Sequence, residues 1–149
     1  MSVTLRKGVE ADLPRALELI KELALFEKAP EQVINTVEHM KNDGFGAKPV
    51  FWFFVAEHKG EIIGIAIYFL RYSTWKGVRL YLEDLIVTEK ARGIGAGKLL
   101  FEACINEGKA KGYSGMTWQV LDWNTSALDF YKAYKADLDG EWVNGAIDF

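Results

Sequence analysis

A glycine-rich stretch from Arg92 to Lys98, Arg-Gly-Ile-Gly-Ala-Gly-Lys, carries the strongest chemical signal in the chain. It follows a strand-like run that ends at Val87 and precedes a helical pattern. Glycines let consecutive backbone N–H groups face one point, and a helix N-terminus adds partial positive charge. The stretch therefore predicts a phosphate-binding loop, with a glycine-rich turn that binds no ligand as the alternative. Its spacing fits neither the dinucleotide fingerprint nor the P-loop.

Two adjacent acids, Glu83 and Asp84, lie in the middle of the apolar run from Leu80 to Val87. Because side chains alternate between the two faces of a strand, we expect at least one acid to leave the solvent side. A carboxylate in such a place needs a partner or takes a shifted pKa, which is typical of a general base. The alternative is a strand that enters from the surface, with both acids solvated or paired with cations.

Four further side chains have a structural or a chemical interpretation. Tyr131 lies on the last predicted helix, where a phenol with a pKa of about 10 suits protonation of a departing thiolate; considered alone, it is a core residue. Asn124 precedes that helix and is expected to be its N-cap. Cys104 shares an apolar helix face, which indicates an inert core residue. Trp75 is predicted to lie in a turn, where its exposed ring suits a cation or an apolar stem.

The elements that position these residues follow from hydrophobic periodicity and from turn residues. Asp12 and Thr36 are expected to cap the first two helices, Gly44 to close the second, and Lys59-Gly60 to form a hairpin turn. Strands are predicted at residues 2–6, 50–56, 62–72, 80–87, 116–120 and 142–149. Helices are predicted at residues 13–28, 37–42, from the glycines to about 111, and 126–134. The third helix is predicted to bury Leu99, Leu100, Ala103 and Cys104. Antiparallel hairpins followed by a strand–helix–strand unit indicate a mixed α/β fold with one curved sheet.

Composition narrows the class of protein. A chain of 149 residues with 50% hydrophobic and 26% charged residues is typical of one globular domain, which we expect to span residues 1–149. The net charge of −3 argues against a nucleic-acid partner and suits a cationic substrate. No apolar run is long enough to predict a membrane span, and a lone cysteine with two scattered histidines predicts neither a disulfide nor a metal site. The expected location is the reducing cytoplasm.

The glycine motif behind the run that ends at Val87 resembles the acetyl-CoA motif of the GNAT superfamily of N-acetyltransferases. More narrowly, the chain resembles the diamine (spermidine/spermine) N-acetyltransferase family. The glycine motif is typical of the whole superfamily, whereas the Trp-Lys-Gly segment at Trp75 and the Leu-Glu-Asp segment at Glu83 are specific to this branch. The matching segments are residues 23–28, 43–46, 72–77, 81–84, 121–124 and 130–132.

This resemblance implies a GNAT acyl-CoA N-acyltransferase fold and an acetyl-CoA-dependent enzyme that acetylates a small primary amine and forms a homodimer. Tyr131 would be the acid for the CoA thiolate, and Glu83 would deprotonate the amine, directly or through water. The pantetheine would bind the backbone of Leu85, Ile86 and Val87. The diphosphate would bind Arg92, Gly93, Ile94, Gly95, Ala96, Gly97 and Lys98, and residues 117–119 with Asn124 and Ala127 would line the other side of the cofactor. The amine site would comprise Phe26, Glu27, Trp75, Glu83 and Asp84.

Two residues depart from the family pattern. Ser73 stands where polyamine-specific members carry aspartate, and the resulting Ser-Thr-Trp-Lys-Gly segment resembles the thialysine N-acetyltransferases. Lys135 stands where the family usually has glycine, at a position expected to cap a helix. The alternative acceptors are a protein N-terminus and an antibiotic amine. A non-catalytic acyl-CoA-binding sensor is the alternative from a different class of function.

Overall fold

The computed structural model describes residues 2–149, which form two compact units, residues 2–118 and residues 119–149. The first unit holds a five-stranded sheet in the order β1-β2-β3-β4-β5. Its strands are β1 (Thr4–Lys7), β2 (Trp52–His58), β3 (Glu61–Ser73), β4 (Gly77–Val87) and β5 (Met116–Trp118). Its helices are α1 (Leu13–Phe26), α2 (Val37–Phe45) and α3 (Ala96–Ala110), with 3-10 turns at Glu10–Asp12, Pro30–Gln32 and Glu89–Ala91. Neighbouring strands are antiparallel except β4 and β5, which are parallel, so the predicted mixed α/β fold is confirmed.

The main core lies between α1, α2 and one face of the sheet. Its members are almost fully buried, and those on the strands alternate along the chain. They are Leu13, Ala16, Leu17, Leu19 and Met40 on the helices and Phe53, Val55, Ile65, Ile67 and Ile86 on the strands. Helix α3 packs against the other face. There Gly64 is required, because a Cβ at this position would lie 2.8 Å from the Ile86 carbonyl oxygen and 3.0 Å from Leu100. Helices therefore cover β3 and β4 on both faces of the sheet.

Several predicted details of the helices need correction. Asp12 precedes α1 but does not cap it with its side chain. Its carboxylate instead accepts hydrogen bonds from Arg6 and from the backbone of Val9, and the Arg6 contact holds its pKa below the usual value. Thr36 does cap α2, as predicted. The buried stripe of α3 is rotated by about one residue from the predicted one, so Phe101 is buried and Leu99 is 38% exposed.

The second unit contains α4 (Thr125–Lys132) followed by a segment without regular structure. The predicted strand at residues 142–149 is wrong: no helix or strand is assigned there, and Trp142, Val143 and Ile147 are at least 78% exposed. Apolar composition suggested a strand, but a strand also requires a neighbour with which its backbone pairs. Among residues 2–149, none of the helices has the length and apolarity that a bilayer crossing requires.

Candidate active site

Strand β4 has a free edge, by which we mean the side of residues 83–87 that faces away from β3. Strand β5 pairs with β4 only from Leu80 to Leu82, opposite Met116–Trp118, whereas β3 pairs with β4 as far as Val87. Thr88 donates its N–H to Ile63 in β3. Because alternate residues of an antiparallel strand point their polar groups the same way, Ile86 also faces β3, while Leu85 and Val87 turn theirs to the free edge. Backbone hydrogen bonds to a ligand are thus available at Leu85 and Val87, not at Ile86.

A β-bulge lies where the free edge begins. Ile67 pairs with Asp84 and Tyr68 pairs with Leu82, so Glu83 is the extra residue and has no partner across the ladder. Bulges are enriched beside active sites, where they redirect side chains. Here the bulge leaves Glu83 exposed and Asp84 half-buried, so one of the two acids leaves the solvent side as predicted.

Three carboxylates influence one another at this bulge. Burial, followed by repulsion from Glu83 and from Glu27, raises the pKa of Asp84 to about 7. Burial also raises the pKa of Glu27, which directly follows the last residue of α1. A carboxyl group with a pKa near neutrality is suited to general base catalysis, and the surrounding negative charge attracts a cation.

The glycine loop adopts the conformation that its sequence predicts. Gly93 and Gly95 have φ values of 87° and 90°, in the left-handed region that favours glycine. A Cβ at either position would meet no atom within 4 Å, so open space lies beside the loop. Gly95 is also the N-cap of α3 and supplies no side chain to bond the first-turn amides of the helix. Open space next to uncapped N–H groups fits the diphosphate of a CoA-type ligand.

Arg92 fixes the loop to its surroundings. Its Nε donates a hydrogen bond of 3.1 Å to the Val87 carbonyl at the free edge. Its guanidinium carbon lies 5.9 Å from the centroid of the Phe26 ring, within the range of a cation–π contact. A residue predicted for the diphosphate and a residue predicted for the amine therefore touch each other.

The predicted amine site is assembled in part within this unit. Phe26 and Glu27 at the end of α1 adjoin the segment that carries Asp84 and Arg92. Trp75 is different: it is 88% exposed in the Ser73–Gly77 turn, at the other end of β4. At about 3.3 Å per residue, the strand from Gly77 to Asp84 is about 23 Å long. The structure therefore does not bring Trp75 to the acids within one chain.

The remaining predicted residues have clear local surroundings. Thr117 in β5 has a buried hydroxyl that lacks a hydrogen-bond partner among the described residues. In the second unit, the Asn124 side chain accepts from the Ala127 N–H and so caps α4, as predicted. Tyr131 is 8% exposed and its ring lies 5.4 Å from that of Phe130. Cys104 is fully buried, and burial raises its pKa to about 12, as expected for an inert thiol.

Sequence reasoning missed one contact beside the loop. Oε1 of Glu22 in α1 accepts from the Thr88 hydroxyl at 3.1 Å and from the Glu89 N–H at 3.2 Å. The partners are 66 and 67 residues apart in the sequence, and no local motif marks such a pair.

Comparison with known proteins shows the family to which this chain belongs. Residues 15–134 match the model of the Acetyltransferase (GNAT) family. The chain is 39% identical over 142 residues to a thialysine N-epsilon-acetyltransferase of Bos taurus, which covers 90% of this chain and 84% of that protein. It is 31% identical over 145 residues to the spermidine/spermine N(1)-acetyltransferase-like protein 1 of Homo sapiens, which covers 92% of this chain and 21% of that protein. The structure of an aminoglycoside acetyltransferase from an uncultured soil metagenomic sample, in complex with trehalose, matches with a TM-score of 0.79 at 23% identity, covering 99% of this chain and 96% of that one.

The fold and the site thus define a GNAT acetyltransferase. The chain belongs to this family and is an N-acetyltransferase, similar to thialysine and polyamine acetyltransferases. The resemblance predicted from the glycine motif and the Leu-Glu-Asp segment is confirmed.

Proposed function

We propose that this enzyme transfers the acetyl group of acetyl-CoA to a primary amine of a small cationic molecule, a thialysine-like amino acid or a diamine or polyamine. The observation that carries the proposal is the free edge of β4, which leads from the acids at the bulge directly into the glycine loop. One continuous segment, residues 83–98, offers groups for the amine, the thioester and the diphosphate in that order. The names of the relatives support the class of acceptor.

The donor would lie along the free edge. The N–H and C=O groups of Leu85 and the N–H of Val87 suit the pantetheine amides, since they are turned away from β3, whereas the Val87 carbonyl accepts from Arg92. Residues 93–98 suit the diphosphate, with Lys98 and Arg92 as cations. The backbone N–H of Leu85 is also suited to polarise the thioester carbonyl as its oxyanion develops. Residues 117–119, Asn124 and Ala127 would line the other side of the cofactor.

The acceptor chemistry requires removal of a proton. A primary amine with a pKa of about 10.4 is almost entirely ammonium at neutral pH and cannot attack a thioester. The carboxylates of Glu27, Glu83 and Asp84 would collect the ammonium. Glu83 would take its proton, directly or through water, and Asp84, with a pKa of about 7, lies beside it to share the proton at neutral pH.

The leaving group would be protonated by Tyr131. Attack of the neutral nitrogen forms the amide bond and breaks the thioester, leaving a CoA thiolate that takes the phenolic proton. Cys104 is buried and its thiol pKa is about 12, so direct transfer without an acyl-enzyme intermediate is the consistent mechanism.

We further propose that residues 1–149 act as a single catalytic domain in a cytoplasmic homodimer. The position of Trp75 supports the dimer, because its ring is too far along β4 to reach the acids of its own chain and would serve those of a second copy. The exposed apolar residues of the C-terminal segment, such as Trp142 and Ile147, offer surface for the same association.

An acetylation screen tests the function. Free CoA thiol is measured as it is released from acetyl-CoA, in parallel with thialysine, lysine, putrescine, spermidine and spermine. We expect amine-dependent release with at least one member and the highest kcat/KM for thialysine, since Ser73 replaces the aspartate of polyamine-specific relatives. Tight binding of acetyl-CoA without release on any of these amines would contradict the proposed acceptor class and favour another acceptor or a non-catalytic sensor.

A further inference from the structure

Helix α1 holds the segment before the glycine loop at two points. The carboxylate of Glu22 accepts two hydrogen bonds at the start of this segment, from the Thr88 hydroxyl and the Glu89 N–H. One helical turn later, the ring of Phe26 lies under the guanidinium of Arg92. Residues four apart lie on the same face of a helix, so Glu22 and Phe26 form one contact surface for residues 88–92.

The Glu22 contact replaces a missing cap. Thr88 is the N-cap residue of the 3-10 turn Glu89–Ala91, but its hydroxyl does not cap that turn. The hydroxyl donates to Glu22 instead, and the same carboxylate oxygen takes the Glu89 N–H at the beginning of the turn. Thr88 is 7% exposed and its own N–H is bonded to Ile63 of β3. The carboxylate therefore sets the direction in which the chain leaves β4.

The direction of this exit decides where the glycine loop lies. Three residues, 90 to 92, separate Glu89 from Gly93, and Glu89–Ala91 form the 3-10 turn. Gly93 and Gly95 adopt left-handed conformations with nothing packed beside them. With open space beside its glycines, the loop is held from its two ends, by residues 88–92 before it and by the buried face of α3 after it.

We infer that Glu22 is a positioning residue for the donor site: by fixing Thr88 and Glu89 it holds the glycine loop where its N–H groups meet the diphosphate of acetyl-CoA. The inference rests on the proposed function and adds a residue outside the predicted site. Glu22 lies in α1 and Glu27 directly follows that helix, so the same element would place a carboxylate at the amine and anchor the loop that binds the donor.

The test compares two acetyl donors that differ in the diphosphate. S-acetylpantetheine carries the thioester and the pantetheine arm but lacks the diphosphate and nucleotide of acetyl-CoA. For Glu22→Ala we expect kcat/KM with acetyl-CoA to fall about tenfold, which corresponds to about 1.4 kcal/mol. With S-acetylpantetheine we expect a fall of less than about twofold, because this donor makes no use of the loop.

Matched variants separate positioning from folding. Glu22→Gln keeps the accepting oxygen and should restore at least about a third of the acetyl-CoA activity, because the bonds become neutral but remain. Glu18→Ala removes an exposed carboxylate one turn earlier, 3.7 Å from the Arg15 guanidinium, and should leave both donors unchanged. Thr88→Val removes one of the two bonds and provides a second variant if Glu22→Ala does not fold.

The results distinguish failure of the Glu22 inference from failure of the proposed function. Equal losses with both donors in Glu22→Ala, or in Thr88→Val, would overturn the role of Glu22 and show that the contact merely stabilises the fold. A wild-type enzyme that uses both donors equally well would overturn the diphosphate site itself, and the inference with it. A selective loss with acetyl-CoA, restored by Glu22→Gln, supports the inference.

Discussion

Asp84→Asn should stabilise the protein at neutral pH while it removes activity. In the folded chain the pKa of Asp84 rises from 3.8 to about 7, mainly because the carboxyl is buried and secondarily because Glu83 and Glu27 repel its charge. The fold therefore favours the neutral carboxyl. The neutral carboxyl of Asp84 contributes stability that is complete below its unfolded pKa of 3.8. This contribution is lost as the pH rises through the folded pKa of about 7. Asparagine has a similar shape and stays neutral throughout.

The magnitude follows from the difference between the two pKa values. Each pKa unit corresponds to about 1.4 kcal/mol, so ionised Asp84 costs the fold up to about 4 kcal/mol. The free energy of unfolding of the wild type should fall relative to Asp84→Asn from about pH 4 to about pH 7, and the gap should then stay constant. Urea unfolding, followed by tryptophan fluorescence across this range, measures the gap.

Asp84→Asn should lower the activity of the enzyme although it raises the free energy of unfolding. If Asp84 shares the proton of the incoming amine, kcat/KM of the wild type rises with pH through about 7, and Asp84→Asn loses this limb with a fall of about 100-fold or more. The control is Asp148→Asn, which removes an exposed carboxylate and should follow the wild type in both assays. Stability curves of wild type and Asp84→Asn that run parallel from about pH 4 to about pH 8 would refute the reasoning.

Further predictions concern single positions. Tyr131→Phe should lower kcat about 100-fold with little change in the affinity for acetyl-CoA, measured by titration calorimetry; equal losses in both would remove the acid role. Glu83→Gln should lose activity that is partly recovered at high pH, where more of the amine is neutral, and an unchanged pH–rate profile would argue against a base. Gly95→Ala should weaken acetyl-CoA binding about tenfold because the residue has a φ of 90°, whereas Gly112→Ala, with a φ of 74° outside the site, should cost stability alone. Lys135→Gly should raise the free energy of unfolding by about 1 kcal/mol, because Lys135 has a φ of 57°; an unchanged melting temperature would contradict this.

Patterns within one element predicted much of the fold. The alternation on either side of Lys59-Gly60 predicted β2, β3 and their hairpin, and both turn residues have positive φ values, as such turns require. The glycines at 93 and 95 predicted the loop because their conformations depend on local sterics. The cap at Thr36 and the cap at Asn124 follow from side chains that bond their own helix.

Features that depend on pairing between distant segments were not predictable. The bulge at Glu83 arises from the register between β3 and β4, which leaves one residue over. The segment at residues 142–149 has the composition of a strand but lacks a pairing partner. The Glu22 contact joins residues 66 positions apart. The sequence predicted Asp12 as a cap because no local pattern indicates that the Arg6 side chain binds its carboxylate.

The central claim is that the free edge of β4 and the glycine loop hold acetyl-CoA. Backbone hydrogen exchange, measured by mass spectrometry with and without CoA, tests it directly on the wild-type protein. We expect protection to increase over residues 85–98, where N–H groups that lack a partner gain one in the complex. Protection confined to other parts of the chain, with this segment exchanging as before, would contradict the account.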